Sequence, residues 1–151
     1  MTRARGQGFT LIEVMVVVVV IGIIAAIMIP NLLNALQRGR QKRTLGDIHA
    51  VGTAVAAYEA DRDKYPLQAA TAPLGNMQSV LEPTFIQALP TTDGWGRDFT
   101  YLCAGGASYT LVSKARDGVS NGPASGPTSN FNNDIVFSDG QFVTFPEGIQ
   151  N

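Results

Sequence analysis

Residues 8–30 read GFTLIEVMVVVVVIGIIAAIMIP, and where this run is housed decides the rest of the fold. From Phe9 to Ile29 there are 21 residues, and Glu13 is the only charged one. As a helix the run is about 31 Å long, close to the ~30 Å thickness of a bilayer hydrocarbon core. A secretory signal has a shorter apolar stretch that ends at small residues. Here Ala25-Ala26 are followed by Ile27, Met28, Ile29 and Pro30, so a membrane helix is the expectation. Arg3 and Arg5 precede the run, whereas Arg38, Arg40, Lys42 and Arg43 follow it. Cations on both flanks leave the orientation open under the positive-inside rule.

Glu13 is the anomaly. A carboxylate within hydrocarbon costs several kcal/mol unless it finds a partner or a path to water. Snorkelling to the headgroups is the plain alternative for a residue so near the start of the run.

The quoted run resembles the N-terminal signature of the type IV pilin and pseudopilin family, the class III signal peptide. The resemblance implies a leader, residues 1–8, cut between Gly8 and Phe9 by a prepilin peptidase that then N-methylates Phe9. It implies that Glu13 pairs with the Phe9 amine of a neighbouring subunit and so sets filament register. It also implies that Pro30 kinks the helix.

Beyond Pro30 the chain still reads as helix. Leu45, Ile48, Val51, Val55 and Tyr58 recur at spacings of three or four, one apolar stripe. Gly22, Gly39, Gly46 and Gly52 each weaken a helix by about 1 kcal/mol relative to alanine, and Tyr65-Pro66 is the expected stop. The organisation expected is a leader (1–8), a hydrophobic assembly helix (9–30), an amphipathic stem (31–64) and a head (65–151). His49 lacks partners at metal-ligand spacing and reads as a helix-surface residue. The basic residues Arg38 to Arg43 read as a solvated face that pairs with acidic residues of adjacent subunits, in preference to phosphate or DNA binding.

In the head, SVLEPTFIQALP (79–90) reads as a short helix and loop. FTYLC (99–103) and YTLVS (109–113) read as strands, and DIVFSDGQFVTF (134–145) as a hairpin about Asp139-Gly140. The fold class expected is α+β, a long N-terminal helix packed on a small antiparallel sheet of about four strands. So small a core commonly needs a staple. Cys103 is the only cysteine, so no intrachain disulfide supplies it.

Calcium takes six to eight oxygen ligands, carbonyls among them. Ser113, Asp117 and Asp134, with the carbonyl of Leu111, are the candidate set. LPTTDGWGRDFTY (89–101), LVSKARDG (111–118) and NDIVF (133–137) are together similar to blocks of the G-type major pseudopilins of type II secretion. That likeness implies calcium at this loop. Gly94 and Asp98 stand where those proteins have prolines, and one extra residue separates Ser113 from Asp117. The 118–133 loop is longer, and a SDGQFVTFPEG strand is appended. Trp95 reads as the hydrophobic plug of its loop.

With 11 basic and 12 acidic residues and a net charge of -1, the chain lacks the basic excess of a nucleic-acid binder. A lone histidine, with no Ser/His/Asp or Cys/His set, points away from catalysis. The function implied is a structural subunit of a type II secretion pseudopilus, moving from the inner membrane to a periplasmic filament. Its implied partners are further copies, minor pseudopilins, the prepilin peptidase and the inner-membrane assembly platform. The alternative is an extracellular type IV pilin for adhesion, motility or DNA uptake.

Overall fold

The structure, a computed structural model, describes residues 8–122 and 125–150. The leader residues 1–7, with Arg3 and Arg5, lie outside them, as do residues 123 and 124 of the long loop. The element order is one long helix, then strands with two short helical turns between the first and second. The helix, α1, spans Leu11–Arg62 and continues through Pro30. It ends three residues before the expected Tyr65, where Asp63 takes a left-handed φ of 55°.

The chain divides into two compact units between Leu36 and Gln37. The first is the apolar part of α1, whose large side chains from Phe9 to Leu36 are all exposed. No described residue of this unit buries them, as expected of a helix whose solvent is lipid or another subunit.

The second unit carries the core. Ile48, Val51 and Val55 are fully buried, and Leu45 and Tyr58 pack against the same cluster. The helical stripe is therefore the face that meets the head. Gly52 has a packing reason to be glycine, because a Cβ there would lie 2.4 Å from Phe137 Cε1.

Among the described residues the sheet has six strands, two more than expected. They are β1 (Gln68–Pro73), β2 (Thr100–Cys103), β3 (Thr110–Ser113), β4 (Gly126–Thr128), β5 (Ile135–Ser138) and β6 (Gln141–Pro146). Their spatial order is β1-β2-β3-β5-β6-β4, antiparallel except for the β4–β6 pair. β1 and β4 were hidden by composition. QAATAP and GPT contain little of the β-branched or aromatic alternation that marks a strand, and both sit at sheet edges, where Pro and Gly are tolerated.

Strands β2, β3 and β5 alternate in burial, as one face on a core requires. The register aligns Tyr101, Leu111 and Phe137 in one inward row. The β5–β6 hairpin turns at Asp139 and Gly140, both at positive φ (49° and 83°), the geometry of a two-residue primed turn. The expected helix at 79–90 is short. A 3-10 turn (Leu74–Met77) leads into one α turn (Gln78–Leu81), which buries Leu74, Met77 and Leu81.

Candidate functional site

The start of α1 holds Gly8, Phe9 and Glu13. Phe9 is 83% exposed, and Gly8 precedes it outside the helix. Glu13 lies in the first turn. Its backbone N–H donates to Thr10 Oγ1 at 3.2 Å, and its Oε2 accepts the Thr10 N–H at 3.5 Å. This is a capping box, in which a threonine and a glutamate three residues on satisfy each other's free N–H groups. The T-x-x-E spacing before an apolar run carries that signal, and sequence reasoning had missed it. Glu13 thus has a local role within its own chain.

In the head, the candidate site begins at a tight loop. Thr92 and Asp98 form an isolated bridge, Asp93 N–H donates to the Arg97 carbonyl (2.8 Å), and Phe99 N–H donates to that of Thr91 (2.9 Å). Asp93, 2% exposed, organises its interior. Its Oδ1 accepts the N–H groups of Trp95 (2.9 Å) and Arg97 (3.0 Å), and its Oδ2 accepts the Ser113 hydroxyl (2.7 Å).

The loop also docks on the stem. Gly94 N–H donates to Thr44 Oγ1 at 2.9 Å, and a Cβ on Gly94 would lie 2.2 Å from the Arg40 carbonyl oxygen. A proline in the place of Gly94 would have no N–H to give Thr44. Trp95 is half-buried, and its indole N–H donates to Gln37 Oε1 at 2.7 Å. The expected plug is therefore a latch between loop and helix.

A second loop follows β3. Ala115 and Gly118 have positive φ (49° and 72°), and Gly118 N–H donates to the Lys114 carbonyl (3.0 Å). Arg97 crosses from the first loop and donates from Nη2 to the Arg116 carbonyl (2.8 Å). A Cβ on Gly118 would overlap that guanidinium, so position 118 needs glycine twice over.

The four proposed calcium ligands are placed unequally. Asp134 is 4% exposed. Its Oδ2 accepts the Asn121 N–H (3.0 Å) and the Ser120 hydroxyl (3.3 Å), whereas its Oδ1 is buried without a hydrogen-bond partner among the described residues. Burial pushes its carboxyl above the usual range, bonds from Asn121 and Ser120 oppose this, and the nearby charge of Asp117 adds to the rise. Asp117 is exposed, and its Oδ1 caps the Val119 N–H at 3.0 Å. Ser113 is fully buried; besides donating to Asp93, its hydroxyl accepts the Ala115 N–H at 3.2 Å. Leu111 lies inside β3, flanked by β2 and β5.

The structure thus brings Asp117 and Asp134 within each other's field and ties Ser113 to Asp93. Ser120, Asn121 and Asp93 are the residues sequence reasoning missed. No His/Cys/Asp/Glu group of three fit for a metal occurs among the described residues. Any cation here would need hydroxyl, carbonyl or water oxygens beside the two carboxylates.

Residues 3–29 match the prokaryotic N-terminal methylation motif, and residues 31–133 match the family of type II secretion system protein G. Type II secretion system core protein G of Vibrio cholerae serotype O1 is 36% identical over 134 residues, 78% of this chain and 88% of the relative. The Pseudomonas aeruginosa protein of that name is 35% identical over 81% of this chain and 92% of its own length. The Escherichia coli K12 protein is 33% identical over 76% and 84% respectively.

Proposed function

The chain belongs to the type II secretion system protein G family, and on that footing we propose that it polymerises into a type II secretion pseudopilus promoting protein export. The observation that carries this reading is the exposed apolar unit from Phe9 to Leu36. It satisfies no core of its own and is long enough to cross a membrane. Such a helix is stable in lipid before assembly and against neighbouring helices afterwards. Family membership favours this reading over an extracellular type IV pilin.

In the proposed sequence a prepilin peptidase cuts the Gly8–Phe9 bond and N-methylates Phe9. The new amine on Phe9 then faces Glu13 of a neighbouring subunit, in competition with the capping contact to Thr10. The subunit moves from the inner membrane into a periplasmic filament with minor pseudopilins on an inner-membrane platform, and its role is structural rather than catalytic.

Calcium is part of the proposal. Asp134 and Asp117 would hold it, with Ser120, Ser113 and the Leu111 carbonyl as further oxygen donors. The buried, unpartnered Asp134 Oδ1 supports the fit, because an uncompensated carboxylate oxygen is costly. Bound calcium would neutralise the two carboxylates and staple the loop.

Gly8→Ala tests the assembly reading. It is expected to keep the leader on the chain by mass spectrometry and to abolish both filaments and secretion. Normal secretion with an uncut chain would overturn it.

A further inference from the structure

Arg38 and Lys42 stand four residues apart on one face of α1, both exposed. Neither makes an ion pair or a hydrogen bond to another described residue, whereas Arg43 pairs with Asp47 at 3.4 Å. The two free cations flank a notch of about 180 Å³ whose other lining residues are Gln41, Leu45, Pro146, Gly148 and Gln150. The far wall is built rather than incidental. Gln41 Nε2 donates to Gln150 Oε1 (3.3 Å), and Gln150 Nε2 donates to the carbonyls of Thr128 and Glu147 (2.5 and 2.9 Å). No carboxylate lines the notch among the described residues. Ile149, next along that wall, is 76% exposed.

The chain order says what meets this notch. Exposed apolar side chains continue past Ile29 through Leu32 and Leu33 to Leu36, two residues before Arg38. Val14 to Leu36 is 23 residues, about 34 Å of helix, which a ~30 Å hydrocarbon core accepts with modest tilt. In that register Glu13 falls at one polar boundary instead of inside hydrocarbon, and Asn31 and Asn34 lie in the last turns before the other. Arg38 and Lys42 follow at headgroup depth.

We propose that the Arg38–Lys42 notch binds the phosphate of an anionic phospholipid in the membrane-inserted subunit. Leu45 and Ile149 give the site the apolar border that a lipid meets and a free anion does not. This inference rests on the membrane insertion proposed above. Two cations at an anionic surface predict a preference of about tenfold or more over zwitterionic lipid.

The test is native mass spectrometry of the full chain released from nanodiscs of phosphatidylglycerol or phosphatidylcholine. The wild type is expected to retain phosphatidylglycerol about tenfold better than phosphatidylcholine. R38Q/K42Q is expected to lose that preference, R38K/K42R to keep it, and R62Q/K64Q, a charge-matched control, to keep it. Equal retention by R38Q/K42Q overturns the site. Displacement of the lipid by millimolar inorganic phosphate identifies a free-anion site and overturns the lipid assignment. If R38Q/K42Q retains lipid but loses self-association, the cations serve a second copy and the proposal falls. A chain extracted from the bilayer by alkaline carbonate overturns membrane insertion itself, which separates that failure from the others.

Discussion

The Ser113 hydroxyl donates to Asp93 Oδ2 over 2.7 Å, both side chains being buried. Through this bond the inward end of the central strand β3 holds the loop that grips the stem. Asp93→Ala leaves that hydroxyl and the N–H groups of Trp95 and Arg97 without their acceptor. A loss of about 3 kcal/mol is expected from chemical denaturation of the full chain in micelles. A change under ~1 kcal/mol would mean that water replaces the carboxylate at little cost.

Gly94→Ala sets a Cβ against the Arg40 carbonyl and must displace the loop. The expected result is a red shift in emission of Trp95, the sole tryptophan, with a destabilisation of about 2 kcal/mol. Gly75→Ala is the control, because its Cβ would make only an ordinary contact with Thr91 at 3.8 Å.

Glu13→Gln separates the two roles of that residue. Glutamine still serves a capping box, so helicity by circular dichroism should equal that of the wild type. Without charge it cannot pair with the Phe9 amine, and filament yield should fall at least tenfold. Undiminished filaments would remove the ion pair from the mechanism.

Calcium at Asp134 predicts opposite responses in two conditions. In chelator, Asp134→Asn should match or exceed the wild type in Tm, since it removes a carboxylate that burial disfavours. With calcium at about a hundredfold excess over Kd, only the wild type should gain roughly 2.7 kcal/mol. A wild-type Tm indifferent to chelator and calcium would sink the staple.

Two buried tyrosines should differ at neutral and alkaline pH. The Tyr101 hydroxyl donates to the Pro66 carbonyl at 3.0 Å, so Tyr101→Phe should cost about 1 kcal/mol. The Tyr109 hydroxyl is buried beside the Gly140 backbone, whose hydrogen bond opposes the rise that burial imposes, so Tyr109→Phe should cost less than Tyr101→Phe. Burial raises both phenols, Tyr109 to about 12. A folded pKa above the unfolded value means that the unfolded chain loses its proton first. Stability should therefore fall as pH climbs from about 10 towards 12, and Tyr109→Phe should lessen that fall. Denaturation followed at pH 8 and 11 checks both.

The sequence by itself determined the parts whose physics is local. One carboxylate in an apolar run, a three-four stripe from Leu45 to Tyr58 and an Asp-Gly hairpin each carry their own periodicity or turn chemistry. Composition did not reveal β1 and β4, because edge strands are held by backbone bonds to a neighbour and need no alternating side chains. Only the tertiary structure decided that Ser113 is bound to Asp93, that Trp95 latches onto Gln37, and that Ser120 and Asn121 surround Asp134. These are pairings between residues 13 to 58 positions apart. Such pairings form only when the sheet and helix have closed, and no spacing in the chain announces them.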